Sequence, residues 1–382
     1  MRQRTLQLLV CTLGLLAVHR ANAQAGFAVN RFDPSEAGSD WFVNDSLDLR
    51  GSPNVAAGLI SDWSYKPLVL RGAQANADSL HNVVTDQVVT HAAVAIVLDD
   101  RIRAALDLPI VAYQKGDDLS QTVPQLGRLQ SSGVGDLRLS ADLRVMGQYG
   151  DAFTFALGAQ VHVPTGRSSQ LSSDGTLRFV PRVLVAGDGE GLVYAAKVGF
   201  AYRPLDAVFV GRQLTSEAVF SLAAGVRVND IFVFGPELYG ATALGRGVEP
   251  FERRSTPLEL LLGLHVTLAE NWQLGSGLGP GLTQADGTPS MRLVLSLAFA
   301  PDVCVDPDGD GICAPADACP DVDGVRTGRR STNGCPGDRD RDGVFDTHDA
   351  CVDRPGPASA EPTTNGCPAG TDATPPEPLA PK

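Results

Sequence analysis

The sequence lacks long apolar runs once its first twenty residues are passed. No later stretch approaches the ~18 unbroken apolar residues that a transmembrane helix needs, so a helical membrane protein is excluded. Histidine is scarce, with six in 382 residues, and no two of the later ones have metal-ligand spacing on a helix. A G-x-S-x-G nucleophile motif is also missing. We therefore expect no enzymatic activity.

Cysteine is absent from the long stretch between Cys11 and Cys304. The remaining six cysteines are clustered near the end of the chain, which in an exported protein indicates disulfides formed in an oxidising compartment. Six cysteines allow fifteen pairings, and the sequence alone does not choose among them. The clustered cysteines are Cys304, Cys313, Cys319, Cys335, Cys351 and Cys367.

The start of the chain has the features of an export signal. Arg2 and Arg4 form a basic region, residues 6–18 are apolar, and Ala21-Asn22-Ala23 supplies small residues for cleavage. This arrangement is typical of a secretory signal peptide. We expect residues 1–23 to be removed and the mature protein to act outside the cytoplasm.

Basic residues are too few and too scattered to bind nucleic acid, because phosphate contacts need a basic face. The net charge is −13, and residues 301–382 hold 16 acidic against 7 basic residues. The acidic excess is therefore concentrated in the cysteine-rich end, which favours a cation as the ligand of that segment.

The acidic segment contains two copies of one motif, spaced 32 residues apart. Each copy has the pattern D-x-D-x-D-G, a later aspartate two residues before a cysteine, and a closing T-N-G-C-P. A repeat of this length is typical of a small structural unit used more than once. The first copy starts at Asp306 and the second at Asp338.

The spacing of the acids suits calcium, which takes six to eight oxygens in a flexible loop with a glycine at position 6. Position 9 is Asp346 in the second copy but Ala314 in the first, so we expect weaker or shared binding in the first copy. The predicted calcium ligands are Asp306, Asp308, Asp310, Asp317, Asp338, Asp340, Asp342, Asp346 and Asp349.

These two copies resemble thrombospondin type 3 repeats, over about residues 304–368. The resemblance implies a calcium-dependent, disulfide-stapled segment with little hydrophobic core. It also implies the pairs Cys319–Cys335 and Cys351–Cys367, which leaves Cys304 with Cys313. We expect residues 369–382, which are rich in proline, to be disordered.

The first three hundred residues alternate between apolar and polar or small side chains. In residues 137–145 the odd positions are apolar and the even positions are Arg138, Ser140, Asp142 and Arg144. Similar alternation in residues 153–163, 258–268 and 291–299 is typical of β-strands with one apolar face. A soluble β-sandwich alternates too, so the pattern by itself leaves both architectures open.

The length of the predicted strands and the alternation of short and long connections favour a membrane barrel. The tilted strands of such a barrel need ~9–11 residues, and its connections alternate between short turns and long loops. We predict an all-β fold, an antiparallel up-and-down transmembrane β-barrel of about 12 strands, followed by the small disulfide- and calcium-ordered repeat segment. Because the number of strands is even, the start of the first strand and the end of the last strand both lie on the short-turn side. The predicted strands are near 53–64, 86–98, 101–111, 134–147, 151–164, 176–187, 191–203, 216–228, 230–242, 257–268, 272–281 and 290–300.

The barrel interior is expected to be polar and narrow. Inward residues such as Arg138, Asp142, Arg144, Lys197 and Glu259 could close the lumen by pairing with one another, and His162 and His265 are expected to face inward. The alternate glycines of residues 275–279 are interpreted as room left on a crowded inner face.

The order of signal, barrel with a Phe32-Asp33-Pro34-Ser35 start, and aspartate- and cysteine-rich repeats resembles an OmpA-type outer-membrane protein. That family joins the barrel through type 3 repeats to a peptidoglycan-binding domain. No such domain follows Cys367 here, so peptidoglycan binding is not expected. We predict a periplasmic lead-in at 24–52, the barrel at 53–300 and the calcium repeats at 301–368.

The predicted function is a non-enzymatic outer-membrane barrel, structural or a narrow pore, with a periplasmic calcium stalk. Its expected partners are outer-membrane lipid, Ca²⁺ and other envelope proteins. The alternative is a calcium-dependent adhesion or binding protein that displays a soluble β domain at the cell surface.

Overall fold

A computed structural model describes most of the chain. The predicted signal peptide, Cys304, Ala314 and nearly all of the proline-rich end lie outside the described residues. The described ranges are 27–51, 54–71, 80–118, 129–189, 191–204, 207–209, 212–229, 231–245, 247–268, 271–301, 306–313, 317–327 and 331–369.

The described residues form fifteen β-strands and one short 3₁₀ turn at Ser168–Gln170, and none of their helices is long and apolar enough to cross a bilayer. The strands are β1 Asn54–Arg71, β2 Leu80–Leu98, β3 Ile102–Lys115, β4 Gly133–Val134, β5 Leu137–Met146, β6 Thr154–Val163, β7 Arg178–Gly189, β8 Leu192–Ala201, β9 Ala207–Phe209, β10 Arg212–Leu214, β11 Glu217–Val228, β12 Phe232–Ala243, β13 Leu258–Leu268, β14 Trp272–Gly279 and β15 Met291–Phe299.

Twelve of the strands close into an antiparallel barrel. Each barrel strand pairs with its neighbours in the chain, and β1 pairs with β15 to complete the ring. The two-residue β4 pairs with β3, while β9 and β10 form a separate hairpin. The predicted fold class and strand number are confirmed.

The wall of the barrel is apolar outside and polar inside, as the alternation predicted. The five odd positions of β15, from Met291 to Phe299, are between 38% and 53% exposed. On β5, Arg138, Ser140 and Asp142 are buried while Leu139 and Leu143 are exposed. An outward apolar face and a polar interior are the features of a transmembrane barrel, so the alternative of a soluble β domain is wrong.

Short turns and long loops lie at opposite ends of the barrel. The turn between β2 and β3 places Asp99 and Asp100 at φ 51° and 52°, and Arg101 N donates to Leu98 O at 3.2 Å. Positive φ at both central residues marks the tight hairpin turn whose twist matches that of the strands. Asn54 and Phe299 both lie at this short-turn side.

The N-terminal segment, residues 27–50, runs through the lumen and is called the plug below. Phe27 and Val29 pack with Leu68 and Leu171 at the long-loop end, whereas Trp41, Leu47 and Leu49 pack in a cluster with Val97 and Ala156 in the half nearer the short turns. The predicted periplasmic lead-in therefore differs from the structure. The apolar side chains of this segment bury themselves against inward-facing residues of the wall.

The two acidic repeats keep the same backbone pattern. Asp317 Oδ1 accepts the Cys319 N–H at 2.8 Å, and Asp349 Oδ1 accepts the Cys351 N–H at 2.7 Å. Ala318 N donates to Asn333 O at 2.7 Å, and the equivalent bond to Asn365 O measures 2.9 Å. The 32-residue repeat of sequence is thus a repeat of structure.

Candidate functional site

One carboxylate of the wall holds the middle of the plug. Glu237 on β12 is fully buried. It accepts the backbone N–H groups of Phe42, Val43 and Asn44 at 2.7, 2.9 and 3.1 Å, and the Asn44 side-chain amide at 3.0 Å. Charge-assisted hydrogen bonds are about twice as strong as neutral ones. Glu237 therefore fixes the position of three successive plug residues.

A cradle of glycines receives the ring of Phe42. Cβ atoms added at Gly263, Gly275 and Gly277 would lie 3.1, 2.9 and 2.8 Å from atoms of this ring. The imidazole of His265 covers another side, with the ring centroids 4.2 Å apart. The expectation that the glycines leave room on a crowded inner face is confirmed, and Phe42 is the residue that uses the room.

Arginines of the wall pair with acids of the plug. Arg138 Nη1 donates to Asp33, and Arg138 Nη2 donates to Glu36 at 3.2 Å. Arg182 Nη2 also binds Glu36, at 2.9 Å. Arg103 Nη2 binds Asp45 at 2.8 Å. Because isolated buried charges are costly, these pairs make the plug and the wall mutually dependent.

The predicted closure of the lumen by pairing among wall residues is only partly right. Asp142 does bridge two wall arginines, Arg103 and Arg182, at 2.7 and 2.8 Å. Lys197, by contrast, donates to the Val43 carbonyl of the plug at 2.9 Å. The alternation of residues along the wall strands showed which charged side chains face inward. It could not show that some of their partners come from the plug, which lies outside the strand pattern.

The two histidines that were expected to face inward, His162 and His265, are both buried. His162 Nδ1 contacts Arg178 Nη2 at 2.9 Å, and the two ring nitrogens of His265 have no hydrogen-bond partner among the described residues. His265 therefore acts as an apolar surface for Phe42.

A chamber of about 170 Å³ lies between the plug and the wall, toward the long-loop side. Its apolar lining includes Val89, Val111 and Val219. Two of its lining residues, Gln160 and Arg182, carry the buried donor atoms Nε2 and Nη1, which have no partner among the described residues. The chamber thus combines apolar surface with charged and polar side chains, among them unused hydrogen-bond donors, and such mixed linings occur in small-molecule sites.

In each repeat, three of the predicted calcium ligands come together. One carboxylate oxygen from each of Asp306, Asp308 and Asp310 lies within 4.8 Å of the others, and Asp338, Asp340 and Asp342 do the same. Asp346 is not in the second group, and its Oδ1 accepts the Arg339 N–H at 2.9 Å.

Unpaired carboxylate oxygens show that these residues suit a cation. Asp317 and Asp349 are each only 8% exposed. Their Oδ2 atoms have no hydrogen-bond partner among the described residues, nor do the buried Oδ2 atoms of Asp308 and Asp340. A buried, unpaired carboxylate oxygen is costly, and a hard cation such as Ca²⁺ would satisfy it.

The pKa values of the acids reflect this crowding. Burial, together with the negative charges of Asp310 and Asp317, raises the pKa of Asp308. Burial and the charges of Asp342 and Asp349 raise the pKa of Asp340. In contrast, the backbone N–H of Gly311 lowers the pKa of Asp306.

Two disulfides close the repeats, Cys319–Cys335 and Cys351–Cys367, each with a sequence separation of 16. These are the pairs that the thrombospondin-repeat resemblance implies. Cys313 is also disulfide-bonded, and its predicted partner Cys304 lies outside the described residues.

A family model described as "Putative MetA-pathway of phenol degradation" matches residues 86–295, more than half of the 382-residue chain. The matched segment runs from β2 to β15 and includes Glu237 and the glycine cradle. The chain matches no curated protein.

A solved outer-membrane channel shares the fold. The COG4313 outer membrane channel from Pseudomonas putida F1 is 14% identical with a TM-score of 0.52, and the match covers 66% of this chain and 97% of that chain. The toluene transporter TbuX from Ralstonia pickettii is 12% identical with a TM-score of 0.34, covering 74% of this chain and 100% of that one. The likeness to the COG4313 channel shows that the two proteins share a β-barrel fold.

Proposed function

The chain belongs to the MetA-pathway phenol-degradation family, and from that premise we propose that it is a narrow outer-membrane pore for one-ring oxygenated aromatic compounds, with a calcium-binding stalk. The short-turn side, where both barrel ends and the repeats lie, would face the periplasm. The observation that carries the proposal is a closed barrel whose lumen is filled by its own plug beside a small chamber.

The plug supports a pore that is closed in this state. Besides its apolar contacts, it is held to the wall by hydrogen bonds and ion pairs to single side chains, such as Glu237, Arg103 and Lys197. Such contacts can be replaced by water, whereas a wall packed only with apolar side chains cannot be hydrated at similar cost. Release of the plug would leave a polar lumen, as a solute pathway requires.

The size and lining of the chamber support the class of solute. An apolar protein cavity of about 150 Å³ holds benzene, so about 170 Å³ accommodates one aromatic ring with a small substituent. The free donors of Gln160 and Arg182 would meet an oxygen substituent such as the hydroxyl of phenol. Larger, multi-ring solutes would not fit.

Planar-bilayer recordings of the refolded full chain test the pore. We expect little current from the wild type and a clear increase for Phe42→Ala, since that side chain fills the glycine cradle. Phe234→Ala is the matched control, because Phe234 is 46% exposed on the outer wall. If neither variant conducts, the barrel has a structural role instead.

Block of the current by phenol tests the solute class. Phenol added to conducting Phe42→Ala channels should reduce the current, and Gln160→Ala in the same background should weaken the block. Gln148→Ala, at an exposed turn, is the control. A current that phenol leaves unchanged would contradict the assignment of one-ring aromatics.

The stalk proposal rests on the paired aspartate triads and on the unpaired oxygens of Asp317 and Asp349. Both repeats have little apolar core, so calcium and the disulfides would supply much of their order. Each repeat would bind one Ca²⁺, with Asp306, Asp308, Asp310 and Asp317, or their equivalents 32 residues on, as the protein ligands.

A further inference from the structure

The first repeat lies across the short-turn mouth of the barrel. A cavity of about 460 Å³ at this mouth is bounded by three parts of the chain. Val97 and Trp272 line it from the barrel rim, and Asp48 and Arg50 line it from the end of the plug. Gly311 and Ile312 line it from the first repeat.

The connection to the barrel keeps the repeat at this position. Ala300 N donates to Asn271 O at 2.8 Å, and Asn54 Nδ2 donates to Pro301 O at 3.4 Å, so the chain is attached to the rim as far as Pro301. Asp306 follows five residues later. Since an extended chain spans at most ~3.6 Å per residue, Asp306 stays within about 18 Å of Pro301.

The predicted calcium loop and the wall of this cavity share residues. Asp306 Oδ2 accepts the Gly311 N–H at 2.9 Å, and Asp310 Oδ1 accepts the Ile312 N–H at 2.7 Å. Arg326, which also lines the cavity, donates from Nη2 to Gly311 O at 3.0 Å. The side chains that would hold the cation thus also position the residues that cross the mouth.

We propose that the first repeat is a calcium-dependent cover of the short-turn mouth. With Ca²⁺ bound, Asp306 and Asp310 hold Gly311 and Ile312 across the opening. Without a cation, carboxylates whose oxygens lie within 4.8 Å of one another repel, and the loop that carries Gly311 and Ile312 loses its support. The effect on conduction rests on the proposed pore function, whereas the structural effect does not.

The second repeat supplies an internal control. Its positions 338, 340 and 342 correspond to 306, 308 and 310. Asp338 Oδ2 accepts the Gly343 N–H at 3.1 Å, and Asp342 Oδ1 accepts the Val344 N–H at 2.8 Å. Among the described residues, however, none of the second repeat lines the mouth cavity. Calcium in the second repeat should therefore leave the mouth unchanged.

Amide hydrogen exchange of the full chain in detergent, with calcium and with chelator, tests the cover. We expect calcium to slow exchange at 311–313 and at 48–50 on the order of tenfold, because a closed cover reduces local opening. Asp308→Asn should remove the effect at both segments, and Asp340→Asn should leave it intact. Equal exchange with calcium and chelator in the wild type, or loss of protection in both variants alike, would overturn the proposal.

Conductance separates this proposal from the pore function. In conducting Phe42→Ala channels, calcium on the short-turn side should lower the current, and Asp308→Asn should abolish that decrease. If Phe42→Ala does not conduct, the pore function fails while the exchange result still decides the cover. If Phe42→Ala conducts but calcium changes neither the current nor the exchange, the proposed cover is wrong and the proposed pore function is unaffected.

Discussion

The carboxylate of Glu237 lies 2.7 Å from the backbone nitrogen of Phe42, which joins the barrel wall to a plug residue 195 positions away in the sequence. The same carboxylate also accepts the N–H groups of Val43 and Asn44. These bonds involve the plug backbone, so they fix its path whatever its side chains. Glu237 is therefore the central anchor of the plug.

Substitution of this anchor should loosen the plug while leaving the barrel intact. Glu237→Gln keeps the size of the side chain but replaces one acceptor oxygen with a donor, which leaves at least one plug N–H unsatisfied. An unsatisfied buried group costs about 1–3 kcal/mol. Amide exchange at 42–44 should accelerate accordingly. Glu249→Gln, at an exposed loop position, is the control, and unchanged exchange in Glu237→Gln would refute the anchoring role.

The glycine cradle gives a second prediction. In Gly277→Ala the new methyl group would lie 2.8 Å from Cε2 of Phe42 and 3.2 Å from Leu261. Overpacking of this kind costs typically about 1–3 kcal/mol, so the plug should become easier to release, with faster exchange at 42–44. Gly189→Ala is a matched control on another strand, because nothing lies within 4 Å of its added Cβ. Equal effects of both substitutions would contradict the cradle.

Periodicity predicted the wall well and the plug not at all. Alternation in residues 137–145 and 291–299 is imposed by a lipid-facing exterior, so it is visible in the sequence and it located all twelve barrel strands. Phe42 and Asp45 sit in an irregular segment whose partners, Glu237 and Arg103, lie on other strands. The only sequence signal was an excess of inward charges and the alternate glycines of residues 275–279, which indicated that something had to fill the space.

Calcium should control the stability of the repeats. We expect calcium to protect residues 306–369 from protease, and Asp338→Ala combined with Asp342→Ala to remove the protection of the second repeat. The physical reason is that the unpaired oxygens of Asp340 and Asp349 gain a partner only when a cation binds. Limited proteolysis followed by mass spectrometry measures this. Asp353→Ala, at an exposed acid outside the triads, is the control, and identical cleavage with calcium and chelator would exclude the site.

The same protection should depend on pH. The pKa values of Asp308 and Asp340 are raised above the usual 3.8, so without metal these two groups stabilise the fold only at low pH, and that stability is lost as pH rises through their pKa. Calcium requires the deprotonated forms. The difference between calcium and chelator should therefore be large at pH 7 and shrink as pH approaches about 4. A difference that stays constant over this range would argue against carboxylate ligands.

The repeats were easier to interpret from sequence than the plug because their ligands are local. Asp306, Asp308 and Asp310 lie within one short loop, so spacing alone predicted that they converge. Asp346 shows the limit of that reasoning. Its position in the loop fits a ligand, but its carboxylate is not in the group formed by Asp338, Asp340 and Asp342, and linear spacing does not show which way a side chain turns.

A reversible cross-link between plug and wall tests the central claim most directly. Ser221 Oγ lies 2.7 Å from Asn44 Oδ1, so cysteines introduced as Asn44→Cys and Ser221→Cys should be close enough for a short bis-thiosulfonate reagent to join them by a reducible bond. Placed in the conducting Phe42→Ala background, this pair should give low conductance while the bond is intact and increased conductance after reduction, beyond any change that the reductant causes in Phe42→Ala alone through the native disulfides. Failure of the bond to form, or a current that is the same before and after reduction, would contradict a plug that occupies and closes the lumen.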